Sequence, residues 1–275
     1  MPRIWWCPTG PLAFLPIHAA GIYATSTLEA GPTLSDFAIS SYIPNVRALT
    51  ERVNSHDTRH QVLQFGEKKT SFCMVSELPY SPWVRREVSE IKHRLQFHDV
   101  QVLSLEGKAA TVNQAIANME THSCIHFACF AYQDTKEPLK SRFVLHDGDL
   151  ELLEIMKKQL MGAELAYLSA PNTGTGDEKL PEEAVHLAAG MLAAGYRGVV
   201  ATMWDIADIH ASQVAVDFYA KLIDMSQDSG GELGAGGLNT DNAAHALHYA
   251  TQKLRKQLEL GDSAFDWINY VHFGL

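Results

Sequence analysis

The sequence contains no run of about 18 apolar residues, the length that a membrane-spanning helix requires. The apolar stretch 4–23 comes nearest, but Pro8, Pro11 and Pro16 would break a spanning helix or a secretory segment repeatedly. Cysteine is scarce. Cys7, Cys73, Cys124 and Cys129 are the only thiols in 275 residues and none forms a C-x-x-C pair, which excludes a disulfide scaffold and zinc-ribbon spacing and fits a reducing, cytoplasmic setting. Basic residues are outnumbered, 22 against 32 acidic, giving a formal charge of −10. That balance argues against nucleic acid or an anionic membrane as partner and favours a protein or peptide. Phosphate-cradling motifs are missing too, since Gly174-Thr175-Gly176 completes neither G-x-x-x-x-G-K-[ST] nor G-x-G-x-x-G. The pairs His93/His98, His122/His126 and His245/His248 lack carboxylates in a ligand pattern, so no metal or other cofactor is expected.

What is present is ordinary globular composition, 46% hydrophobic and 20% charged. A chain of this length can bury roughly three-quarters of its unfolded surface without staples. Strand-like runs fall at Asp36–Ile43, Gln61–Phe65 and Ser71–Val75. Pro82–Leu95 carries Val84, Val88, Ile91 and Leu95 at spacings of 4, 3 and 4, the stripe of an amphipathic helix with Pro at its start. Alternation follows: strand Val100–Leu105, helix Thr111–Met119 with Thr111 as N-cap, buried strand Cys124–Cys129. Phe143–Leu145 and Asp149–Glu151 flank the turn residues His146-Asp147-Gly148 as a hairpin. Then come a short helix at Leu152–Lys158, strand Glu164–Ser169, helix Pro181–Ala194 stopped by Gly195, strand Gly198–Thr202 and helix Ile209–Asp224. Ala243–Leu258 is helical and Phe265–Leu275 strand-like. This order predicts an α/β fold with a largely parallel sheet covered on both faces. One domain, 1–275, is expected, with a flexible Gly-rich loop at 226–242.

Several blocks carry a resemblance: Ile125-His126-Phe127-Ala128-Cys129, the run Ala163–Ala170, the run Glu183–Gly190, and Val200-Ala201-Thr202-Met203-Trp204. The opening Trp5-Trp6-Cys7-Pro8-Thr9-Gly10-Pro11-Leu12 and Leu15–Ala20 match as well. Together they resemble the CHAT family of caspase-like domains, in a form like those of mushroom-type fungi. The resemblance implies a three-layer caspase-like sandwich and, in active members, a His-Cys peptidase dyad. The His slot follows Phe-Ala-Cys and the Cys slot follows Leu-Ser-Ala, so here the slots hold Phe130 and Pro171. A phenyl ring and a pyrrolidine can neither attack a carbonyl nor accept its proton. Pro171 also lacks the N–H that would help form the oxyanion hole, and Ala131 replaces the family's Gly after the His slot.

The neighbours do not obviously substitute. Cys129 should point to the opposite face from Phe130 and read as a buried thiol, with Ser169 inside the sheet. His126 reads as a core histidine, His186 as helix packing, and Asp205 and Asp208 as solvated charge at a strand end where α/β sheets bind ligands. Cys129, Ala131, Ser169, Asn172 and Asp205 are therefore cleft candidates without a catalytic assignment. The expected function is a pseudo-peptidase acting by protein binding, scaffolding or regulation; the alternative is a hydrolase with a substitute nucleophile. Family members usually carry further structure before the segment that opens this sequence, so an uncovered sheet edge and a homo-oligomer are also expected.

Overall fold

The structure is a computed structural model that describes residues 1–23, 31–46, 50, 70–77, 81–134, 136–169, 183–204, 207–228, 238–258 and 266–275, without the side chains of Phe14 and 183–186. In chain order the strands are β1 (Arg3–Trp6), β2 (Ile39–Tyr42), β3 (Ser71–Ser76), β4 (Gln101–Glu106), β5 (Cys124–Ala128), β6 (Ala131–Tyr132), β7 (Arg142–Leu145), β8 (Gly148–Glu151), β9 (Leu165–Leu168), β10 (Gly198–Thr202) and β11 (Tyr270–Gly274). The helices are α1 (Pro82–Phe97), α2 (Val112–Thr121), α3 (Leu152–Met156), α4 (Glu183–Ala194), α5 (Asp208–Asp228) and α6 (Ala243–Leu258).

Local chemistry explains the helix starts. Ser81 Oγ accepts from Val84 N at 3.4 Å with Pro82 as the first helical residue, and Val84, Val88, Ile91 and Leu95 are the stripe that α1 buries. Thr111 Oγ1 caps α2 by accepting from Gln114 N at 3.3 Å. Gly195 ends α4 at φ +126°, and a Cβ there would collide with the Leu160 carbonyl, so only glycine fits.

Eight strands form one sheet in the order β4-β3-β5-β9-β10-β11-β2-β1. The five from β4 to β10 are mutually parallel; β11 runs antiparallel to β10, and β2 and β1 continue parallel to β11. A small antiparallel sheet, β6-β7-β8, stands beside it. One face of the large sheet is covered by α2, α3 and α4 through Ala115, Met119, Leu152, Ile155, Met191 and their neighbours. The other face carries α1, α5 and α6 through Ile91, Leu95, Phe218, Leu222 and Leu247. β5 and β9 are buried on both sides, and apart from His126 in β5 their near-continuous apolar runs follow from that. The result is a three-layer α/β sandwich.

Differences from the sequence reading concern the ends of elements. Asp36–Ile43 shortens to β2, because Leu34–Asp36 form a 3-10 turn. Phe265–Leu275 shortens to β11 behind a 3-10 turn at Asp266–Asn269. Gln61–Phe65 lies outside the described residues. The 226–242 segment is not loop at its ends. Ser226–Asp228 complete α5, Leu238 is buried, and Thr240–Asn242 make a 3-10 turn. Three contacts fix these ends: Ser226 Oγ accepts from Asn239 N at 2.9 Å, Thr70 Oγ1 donates to the Leu238 carbonyl at 3.2 Å, and Arg197 pairs with Asp241 at 2.9 Å. Positions 229–237 lie outside the described residues.

Candidate functional site

In a parallel sheet with helices on both faces, the crevice beyond the carboxyl ends of the strands is where ligands bind. Here those carboxyl ends are the ends of β3, β5, β9 and β10. Strands β5 and β9 are neighbours, with Cys124 opposite Leu165 and Phe127 opposite Leu168, and Ser169 N extends the pairing by donating to the Phe127 carbonyl at 2.8 Å. The two positions that resemble dyad slots therefore follow adjacent strands. Phe130 is half-buried, and its carbonyl accepts from Val144 N at 2.8 Å as the chain leaves the large sheet for the small one. Pro171, Asn172 and Asp205 lie outside the described residues, so the facing of Phe130 and Pro171 is not described.

The remaining candidates are placed. Cys129 is fully buried in the cluster under α2, α3 and α4; burial, and secondarily the Glu77 carboxylate, push its thiol well above the ordinary range. A buried thiol kept protonated is no nucleophile. Ala131 pairs with Phe143 and is buried. Ser169 is also buried, at 8% exposure.

His126 is a core residue, as its mid-strand position implies, but its partners could not be read from the sequence. Its ring stacks on Tyr167 with centroids 5.1 Å apart and 11° between planes. Nδ1 lies 3.2 Å from the Tyr219 hydroxyl, and Nε2 lies 3.0 Å from Glu87 Oε1, a close polar contact that is off the line of a hydrogen bond. Both side chains are essentially unexposed, so the pair is a strut between β5 and α1 with no route to substrate. The His186 side chain is not described.

The structure adds residues at the rim that the sequence marked only as turn or loop. His146 Nδ1, in the β7–β8 turn, is 3.0 Å from Glu77 Oε1, just past β3, and both remain partly exposed. The turn is anchored twice: His146 N donates to the Ala110 carbonyl at 2.9 Å, and Asp147 Oδ1 accepts from Val112 N at 2.8 Å. Asp208, read as solvated charge, accepts from Ser81 Oγ at 2.9 Å and ties the starts of α1 and α5 together. Tyr132 and Trp204 each show 36% of their surface. The Arg142 guanidinium lies 4.9 Å from the centre of the Tyr132 ring. The described residues that follow these strands thus include an imidazole–carboxylate pair and two partly exposed aromatic rings. Among the described residues, no group of three or more His, Cys, Asp or Glu is arranged to hold a metal ion, and no helix is long and apolar enough to cross a membrane.

Comparison with solved structures finds the Arg-specific cysteine proteinase gingipain R, with a TM-score of 0.52, 9% identity and 86% of this chain covered. A second neighbour is the complex of the pro- and mature domains of RgpB from Porphyromonas gingivalis, with a TM-score of 0.50, again at 9% identity and 86% coverage. This chain spans 54% and 55% of the two neighbours' lengths, and identity this low speaks to fold alone. No curated protein sequence matches. The CHAT domain profile matches residues 1–275. A match over the whole chain shows that the chain belongs to the CHAT domain family.

Proposed function

We propose that this CHAT domain is a pseudo-peptidase that acts by binding a protein or peptide at the carboxyl-end crevice. The observation that carries the reading is the fate of the two slots. The strands that would present a dyad lie side by side, yet the residues that follow them are Phe130 and Pro171, which supply neither base nor nucleophile. Cys129, next to Phe130 in sequence, is buried in the core, and Ser169 is buried. A substitute nucleophile would have to come from elsewhere. The acidic charge of the chain favours a polypeptide over a nucleic acid.

The test pairs the natural protein with Phe130→His/Pro171→Cys. The natural protein should cleave no member of a peptide pool and should resist acyl-labelling probes. The double variant regains a thiol, a backbone N–H and a base, so it should alkylate faster than any thiol of the parent. Either change alone should do little, because dyad members act as a unit. Cleavage by the natural protein that is abolished by Ser169→Ala or Cys129→Ala would overturn the reading.

A further inference from the structure

We propose that β1 is a self-association edge, across which a second copy of the chain extends the sheet by antiparallel, two-fold pairing of β1 with β1. This goes beyond the crevice reading and does not rest on it.

The backbone sets the register. Ile39 N donates to the Pro2 carbonyl and Ile43 N to the Trp6 carbonyl, both at 2.9 Å, so the even-numbered residues of this stretch face β2. Strand geometry then turns the N–H and C=O groups of Arg3 and Trp5 outward. Among the described residues no strand lies on that side of β1. In a two-fold pair Arg3 meets Trp5 of the other copy, and each such pair exchanges two hydrogen bonds, with Ile4 against Ile4 on the axis.

Edges are normally blunted by charge, proline or a covering element. Here residues 3–6 contain no proline. The one charge, Arg3, is turned inward, donating to Ser41 Oγ from Nε at 3.2 Å and Nη2 at 3.0 Å and lying 4.6 Å from the centre of the Trp5 ring. Trp5 is itself 37% exposed and anchored by its Nε1 to the Gly274 carbonyl at 3.1 Å.

Charge selects a second copy as the occupant. A chain with formal charge −10 repels its own kind over most of its surface, and self-association is least opposed where charge is absent. Positions 1–46 carry only Arg3, Glu29 and Asp36, although 20% of the chain is charged. The same stretch exposes Met1, Leu12, Leu15 and Phe37 as well as Trp5.

The experiment is sedimentation velocity from about 1 to 100 µM with amide exchange of Arg3 and Trp5 followed by NMR. The natural chain should form a dimer whose Arg3 and Trp5 amides become protected in step with dimerisation. Trp5→Lys should weaken the dimer at least tenfold by placing like charges near the axis. Trp5→Phe, which removes the Gly274 hydrogen bond without adding charge, should keep it and so separates a fold defect from an edge effect. A strict monomer at 100 µM, or a dimer in which these amides exchange as in the monomer, would overturn the proposal.

Discussion

Glu87→Ala removes a carboxylate that is 1% exposed and 3.0 Å from a fully buried imidazole. In water such a polar contact is worth little, but here neither partner can exchange it for hydration. Removing the carboxylate leaves the imidazole Nε2 desolvated and without its neighbour, which typically costs about 1–3 kcal/mol. We therefore expect Glu87→Ala to lose about 2 kcal/mol in urea unfolding, with an unchanged slope. If the cost comes from the stranded partner, replacing the whole polar group should restore stability. Glu87→Leu/His126→Phe leaves the Tyr219 hydroxyl, which now bonds His126 Nδ1, without that partner and should recover only in part. Adding Tyr219→Phe should bring the protein to within about 1 kcal/mol of the parent or above it. A loss below about 1 kcal/mol for Glu87→Ala, or a triple variant as weak as the single one, would refute the claim that His126 and Glu87 stabilise each other only because both are buried.

The His18 ring is buried, with Nδ1 2.8 Å from the Tyr42 hydroxyl and Nε2 2.9 Å from the Ile268 carbonyl. Burial pushes it down to about 4, against the opposing pull of that carbonyl. The unfolded chain binds this proton first, near pH 6.5, so stability is full above that pH and falls by about 1.4 kcal/mol per unit toward pH 4. His18→Gln should flatten that slope in denaturant midpoints measured from pH 7 to 4, whereas His272, also pushed down by burial, contributes to both proteins and cancels in the difference. A thiol titration of the native protein should find Cys7 first, since Cys73, Cys124 and Cys129 are buried; release of all four without denaturant would contradict the packing. Gly195→Ala should cost more than about 2 kcal/mol in thermal or urea unfolding, because position 195 has φ +126° and faces the Leu160 carbonyl.

Periodicity and caps were enough to place the helices and most strands. The Val84, Val88, Ile91, Leu95 stripe and the cap at Thr111 correspond to observed faces and ends. The direction of β11 was not legible, because a strand's sequence is the same whichever way its neighbour runs. The ordered ends of 226–242 were hidden by composition: two leucines among glycines look like linker until Leu238 is seen to be buried and Arg197 to reach Asp241. At the site, family-like blocks pointed to Phe130 and Pro171. The rim pair of Glu77 and His146 was not legible, since 69 residues separate its members and only the hairpin's docking on α2 brings them together. Glu87 was hidden for a related reason, as a glutamate on the apolar stripe of an amphipathic helix carries no mark of its distant histidine.

The slot at position 130 can change its side chain without cost to the fold, and this is testable. Phe130 is half-buried and belongs to neither hydrophobic cluster. Its backbone is fixed by groups every residue possesses: its carbonyl accepts from Val144 N, and the next residue, Ala131, pairs with Phe143. The apolar cores on both faces of the sheet do not use the ring. Phe130→His alone should therefore shift unfolding stability by no more than about 0.5 kcal/mol, the usual range of substitutions away from core, caps and buried pairs. A loss above about 2 kcal/mol would show that the phenyl ring has become part of the packing. In that case a histidine at position 130 would disturb the packing, and placing His and Cys at positions 130 and 171 would not by itself create a peptidase.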